Sequence, residues 1–336
     1  VVEQLPIVAA PMAGGPSTPE LAVAVAEAGG MPFLAGGYKT PDALASEIAR
    51  VRGSGHRFGV NLFVPGDSRV EVTAFAAYAE DLRGDAEVYG LSLDPVPVVD
   101  DDGWSSKLDL LLAEPVPVVS FTFGLPAASD IAALRRAGTT VWCSVTTAAE
   151  AVLAERAGVD GLVVQGSDAG GHSATFDPAG PSRSTDTAAL VRSIRTVSVL
   201  PLVAAGGVDG PVAVRRLLDA GAERVAVGTL LLRTDEAGTS TAHRAALADP
   251  AFTETAITRV FTGRPARALR NGFIDRHERH AIDAYPAVHH LTRGLRQAAA
   301  AAGDTDRLHL WAGTGWRKAP TGRAGDVISW LAGRGE

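Results

Sequence analysis

Three side chains suited to polar chemistry stand at or just beyond the ends of apolar runs: Asn61 in GVNLFVP, Gln165 in DGLVVQG, and His172, which closes GSDAGGH. An imidazole titrates near neutrality, so His172 can hold charge against an anion or take a proton from a carbon acid. The amides of Asn61 and Gln165 donate and accept together, which suits the edge of a planar heterocycle. Glycines at Gly170–Gly171, Gly206–Gly207 and Gly228 remove Cβ atoms where backbone N–H groups would approach an oxyanion. A lone histidine more often caps a turn. One that follows a glycine turn at a strand end is the candidate chemical group.

The elements that must position these groups recur as one unit: a short apolar run, a polar or glycine-rich turn, then an amphipathic alanine-rich segment. Eight runs qualify: 6–12, 31–37, 58–64, 117–124, 140–145, 161–166, 201–207 and 224–229. Between them lie helical patterns such as TPELAVAVAEAG and GPVAVRRLLDAG, which open near a capping residue or proline and close on glycine. Strands alternating with helices pair in parallel, and eight units over roughly 230 residues predict a (β/α)8 TIM barrel rather than an open sheet. Residues 1–235 are assigned to the barrel. Residues 65–116 are too long for one crossover and are read as an insertion between strands 3 and 4. Residues 236–336 are expected to form a helical segment packed near the barrel mouth.

Composition removes several classes of function. At 46% hydrophobic and 21% charged, the chain can bury a sizeable core and is not disordered. A net charge of −7 argues against a nucleic-acid or anionic-membrane surface. No run reaches the ~20 apolar residues of a membrane span. The single cysteine, Cys143, excludes an internal disulfide framework and reads as a buried thiol. The amino terminus lacks a basic-then-apolar secretory pattern, and because the chain begins at Val1 without a Met, trimming of an upstream residue or short leader is expected. Asp100, Asp101 and Asp102 are expected in a solvated loop. His277 and His280 in HERH have ligand-like spacing but no identifiable third ligand, so an exposed helix face is expected and no metal.

The strand ends form one surface. Gly206–Gly207 and Gly228–Thr229 follow strands seven and eight, where barrels commonly hold a phosphate. With Pro11 and Met12 against a ring face and Asn61 and Gln165 at its edge, the constellation suggests a mononucleotide such as FMN. No GxGxxG opens a dinucleotide-binding helix.

The strings AAPMAGG, GVNLFVP, VSFTFG, QGSDAGGH, AAGGV, VGT, FTGRPAR and LWAGTG run in this order across nearly the whole chain. They resemble the nitronate monooxygenases once called 2-nitropropane dioxygenases, in the class that works without reduced nicotinamide. The resemblance implies a cytoplasmic FMN enzyme in which a small nitronate, propionate 3-nitronate among them, or a nitroalkane reacts with dioxygen to give a carbonyl compound and nitrite. It implies FMN contacts at Met12, Asn61, Gln165, Gly170, Gly207 and the segment Ala226, Val227, Gly228, Thr229; Pro11, Gly171 and Gly206 join them by position. His172 matches the family's active-site histidine, and Phe123, His243 and Lys318 are the candidate substrate contacts. Two departures stand out: Asp168 replaces a Glu, and His243–Arg244 fall where a Tyr then a Lys is expected, with only Tyr285 and Lys318 aligning loosely to that pair. A homodimer is allowed and not required. The alternatives are a related FMN barrel, such as an NADH-dependent enoyl-ACP reductase, and a non-catalytic flavin-binding barrel.

Overall fold

The computed structural model describes residues 4–66, 70–180 and 184–334; Val1 and parts of the two outer expected segments lie outside them. Eight parallel strands close a barrel: β1 (Ile7–Ala9), β2 (Met31–Ala35), β3 (Gly59–Phe63), β4 (Val118–Thr122), β5 (Thr140–Val145), β6 (Gly161–Gln165), β8 (Leu202–Ala205) and β9 (Arg224–Val227). β7 (Gly171–His172) belongs to a separate sheet. Register is continuous around the ring, from Val8 opposite Met31 to Ile7 opposite Val225. Inside, Val8, Met31, Phe33, Val118, Val203 and Ala226 make a small apolar plug. The opposite faces of the strands meet the helices in the large core.

Local chemistry explains the helices. Thr18, Thr40 and Thr147 accept from backbone N–H groups at the starts of α1 (Pro19–Glu27), α2 (Pro41–Arg52) and α7 (Ala148–Ala157). Proline pre-sets the first turn of α1, α2 and α9 (Pro211–Asp219). α6 (Ala128–Arg136) and α8 (Thr187–Arg195) complete the regular crossovers.

The excursion after strand 3 resolves into two parts. α3 (Val72–Asp81) and α4 (Arg83–Glu87) leave the barrel, whereas α5 (Trp104–Ala113) packs between α2 and α6 as the third barrel helix. The loop before α5 is more than a solvated acidic run. The Asp102 carboxylate accepts from the N–H of Tyr38 at 2.9 Å and pairs with Lys107 at 2.8 Å, and Asp100 lies 3.1 Å from His290. Lys107 is buried, and a buried ammonium requires such a counter-ion.

Beyond β9 the chain makes α10 (Thr241–Ala246), an antiparallel pair β10 (Thr255–Thr258) and β11 (Ala266–Leu269), α11 (Gly272–His277), α12 (Ala287–Ala302) and α13 (Ala324–Leu331). This part is therefore not purely helical: β11 pairs on its other side with β7, so the loop carrying His172 becomes the third strand of a small sheet. α13 packs against α1 and α9, filling the eighth helix position of the barrel. A second core joins Phe75, Tyr78 and Leu82 from α3 and its C-terminal end to Phe261, Phe273, Val288 and Leu295. The excursion and the C-terminal region thus make one layer over the barrel. His277 is buried between Asp81 at 2.6 Å and Asp85 at 2.7 Å, which replaces the expectation of an exposed helix face. Among the described residues no cluster of three or more His, Cys, Asp or Glu side chains is arranged to hold a metal. Cys143 is fully buried, and burial pushes its thiol up to about 12. No helix among the described residues is long and apolar enough to cross a membrane.

Candidate active site

A cavity of about 530 Å³ opens at the carboxyl ends of the strands. Its floor is the top of the apolar plug, with Val8, Phe33, Trp142, Val163, Val203 and Ala205. Such a floor suits a flat ring, because it asks for no hydrogen bonds from the ring face.

The barrel side of the wall carries Pro11 and Met12 after β1, Gly206 and Gly207 after β8, and Ala226, Val227, Gly228 and Thr229 at the end of β9. Gly207 adopts φ +72, a left-handed conformation costly for other residues. Among the described residues, no protein acceptor takes the N–H groups of Gly207, Gly228 and Thr229. These half-buried donors line the cavity without a protein acceptor, so this corner has the chemistry of an anion cradle.

Asn61 is buried on β3, and its Nδ2 lies 3.1 Å from the carbonyl of Ser120, 2.9 Å from the Ser120 hydroxyl and 2.9 Å from Thr122 Oγ1. A carbonyl only accepts, so the amide orientation is set, and Oδ1 faces no protein donor among the described residues. Gln165 is engaged differently from the sequence expectation of a ring-edge amide. Its Nε2 donates to the carbonyl of His172 at 3.0 Å and its Oε1 accepts from Ala174 N–H at 2.7 Å. It also lines the cavity, but both ends of its amide stitch the His172 segment to β6. Gly170 is needed for a different reason than a bound anion: a Cβ there would lie 2.5 Å from Gly313 N. The 166–172 turn and the 312–315 turn meet backbone to backbone, with Thr314 N–H donating to Asp168 O at 3.0 Å.

His172 and Gly171 line the cavity from β7. His172 Nε2 lies 2.9 Å from Thr262 Oγ1, and its ring makes edge or tilted contacts with Phe123, Tyr285 and Trp311 at 5.6, 5.8 and 5.4 Å. Burial first, and then the positive charges of Arg264 and Arg296, push the imidazole down to about 3. It is neutral at pH 7. Phe123 has φ +83, a strained conformation for a bulky residue, and is sandwiched by Phe63 at 4.4 Å and the Arg264 guanidinium at 3.9 Å.

The overlying layer and the turn after β2 supply groups that sequence reasoning missed. Tyr38 stacks on His289 at 4.0 Å and accepts from Tyr285 Oη at 3.3 Å; burial raises Tyr38 to about 12. Arg296, buried on α12, donates to Thr292 Oγ1, to His289 and to His309 Nε2. His309 Nδ1 is buried without a partner among the described residues, as is Thr239 Oγ1, and both residues line the cavity. Neither Arg264 nor Arg296 has a carboxylate within ion-pair distance among the described residues. Tyr38 was within reach of the sequence, since it stands just beyond the glycines that end strand 2. His289 and Arg296 lie on α12, a helix with no marker in its sequence to separate them from surface residues.

His243 also lines the cavity, but its Nε2 donates to Trp311 O at 3.0 Å and burial holds it down at about 4. Arg244 donates to the carbonyls of Thr234, Ala237 and Thr239, fastening its own loop. Lys318 is a correction: it pairs with Asp209 at 2.9 Å with 64% of its side chain exposed, outside the cavity lining. Its short helical turn faces solvent, where a lysine stays hydrated.

Against this geometry stand the likenesses to known proteins. A family model described as nitronate monooxygenase matches residues 1–333. A probable nitronate monooxygenase of Staphylococcus aureus (strain Newman) is 33% identical over 330 residues, covering 97% of this chain and 93% of that protein. The fold is similar to that of nitroalkane oxidase from Streptomyces ansochromogenes, with a TM-score of 0.94 and 46% identity over 99% of this chain and 96% of the other. FabK from Thermotoga maritima, at a TM-score of 0.76 and 24% identity over 99% and 93%, shares the fold.

Proposed function

The chain belongs to the nitronate monooxygenase family, and from that premise we propose that its cavity binds FMN and oxidises alkyl nitronates, propionate 3-nitronate among them, with dioxygen to a carbonyl compound and nitrite. The observation that carries the reading is a charge left over. Arg296 lines the cavity, is buried near His172, stays charged although burial lowers it to about 10, and has no carboxylate partner among the described residues. A buried cation without a counter-ion is costly, and an anionic ligand removes that cost. A nitronate is such an anion.

The residues present fit a flavin mononucleotide. The free N–H groups of Gly207, Gly228 and Thr229 suit its phosphate, Asn61 Oδ1 suits a ring donor, and the apolar floor suits the ring face. When bound, the flavin supplies the electron acceptor that the side chains lack. The protein's share is to exclude water with the aromatic wall, to hold the anion against guanidinium groups, and to move a proton. His172 lies in the cavity wall and is unprotonated at pH 7, so it can take the α-proton of a nitroalkane that arrives unionised; burial makes it a weak base, which the anion formed beside it offsets.

Anaerobic titration tests the reading. The purified protein is expected to be yellow, and to be bleached by propionate 3-nitronate without NADH. Bleaching by NADH and not by the nitronate would instead favour an enoyl-reductase type of chemistry. A protein that takes up no flavin would overturn the proposal.

A further inference from the structure

The string FTGRPAR forms the hairpin loop between β10 and β11, and β11 places Ala266 opposite His172 on β7. This brings Thr262 to His172 across 90 residues of sequence. Thr262 Oγ1 lies 2.9 Å from His172 Nε2 and 3.4 Å from the main-chain oxygen of Arg264, and both Thr262 and Arg264 are buried.

A hydroxyl has one hydrogen to give. The Arg264 carbonyl can only accept, and no other donor reaches it among the described residues. If the hydroxyl donates to the imidazole, that carbonyl is orphaned in a buried place, which native structures avoid. If it donates to the carbonyl, its lone pair faces the ring, and Nε2 must carry the ring hydrogen. The hydroxyl, the carbonyl and Nε2 are then all paired. His172 Nδ1, which takes no hydrogen bond from a described residue, is left as a bare lone pair in the cavity wall.

We propose that Thr262 is a positioning residue that holds His172 as the Nε2–H tautomer, so that Nδ1 is the proton acceptor. The inference rests on the reading of the site as one that oxidises nitro compounds. In the step it serves, the α C–H bond of a neutral nitroalkane breaks and the proton goes to Nδ1. The electron pair becomes the C=N bond of the nitronate, and the negative charge comes to rest on the nitro oxygens. Nε2 keeps its hydrogen throughout, donating to Thr262, and the imidazolium formed stands beside the anion it has made. With the opposite tautomer, the cavity-side nitrogen would carry a hydrogen and could only donate.

Nitrogen-15 NMR of histidine-labelled, flavin-loaded protein tests this, with the His172 signals assigned by their loss in His172→Asn. The expected result is a protonated Nε2 and a bare Nδ1. Thr262→Val should mix or reverse the two, while Thr262→Ser should keep the original pattern. With nitroethane, Thr262→Val should lower kcat about tenfold to a hundredfold with a smaller change in KM, and Thr262→Ser should recover most of the loss. A wild-type ring protonated on Nδ1, or a Thr262→Val protein with unchanged tautomer and kcat, would overturn the proposal. The NMR arm reads the tautomer whether or not the protein turns over. Absence of any nitro-compound oxidation by wild type would therefore sink the functional reading and leave the tautomer assignment to be judged by itself.

Discussion

The two halves of the cavity are made of different materials. The barrel half presents backbone N–H groups, glycines, the Asn61 amide and an apolar floor. The half contributed by the overlying layer presents the buried guanidinium of Arg296, the imidazoles of His289 and His309, and the indole of Trp311. Strand ends of a closed barrel are held from both sides by register, so their backbone groups are well placed to grip a ligand. A layer that can vary its side chains without disturbing that register is the natural place for charge and titration. His172 sits at the seam. Its loop leaves β6 but is paired to β11, so the barrel positions one end of it and the layer the other.

That division of labour can be broken or sharpened experimentally. The largest effect is expected from His172→Asn, which should lower turnover of nitroethane about 10²–10⁴-fold while flavin content stays at the wild-type level. Loss of flavin with turnover per bound flavin intact would erase the distinction between a gripping half and a reacting half. Arg296→Gln comes next, with KM for propionate 3-nitronate rising about 10–100-fold. Removing that positive charge also removes one cause of the low His172 pKa, so the acid limb of kcat with nitroethane should move to higher pH.

Acid stability probes the layer separately. Burial, the first cause in each case, holds His172, His243 and His289 at about 3, 4 and 2, below the ordinary 6.5. Between those values and 6.5 the unfolded chain binds more protons than the folded one. Stability is therefore complete above about pH 6.5 and falls as pH drops toward 4, each histidine costing on the order of 1–2 kcal/mol near pH 5. Thermal melts from pH 7 to pH 5 should show the decline, and His243→Gln should flatten it; an unchanged slope would mean that His243 is not held neutral by burial. The smallest effect is expected for Lys318→Ala, which removes an exposed ion pair: kinetics within about twofold and stability within about 0.5 kcal/mol of wild type. A large rise in KM would return Lys318 to the site.

The barrel was legible because each strand is a short apolar run and each helix carries its own punctuation, such as Thr18 before Pro19 or Thr40 before Pro41. The strand-end residues followed from that reading, since a parallel strand delivers whatever ends it to the same mouth. α5 was less legible: it lies inside the long excursion, and only packing between α2 and α6 marks it as a barrel helix. Lys318 was misplaced because a loose alignment cannot tell which side of a surface turn faces the cavity. Gln165 was placed at the correct strand end, but its protein partners were not legible, because the main-chain groups of His172 and Ala174 that engage its amide are brought near by the turn that follows.

By itself, the sequence determined the periodicities, and through them an eight-stranded parallel barrel, its mouth, and a histidine delivered there. These are local properties, written within a dozen residues at a time. Only the tertiary structure decided which distant groups surround that histidine: Thr262 against Nε2, Arg264 over Phe123, Tyr285 and Trp311 around the ring, and α13 closing the barrel beyond them. The physical reason is that a pKa, a tautomer and an unpaired buried cation are properties of an enclosure. An enclosure exists only when segments far apart in the chain are packed together and water is driven out.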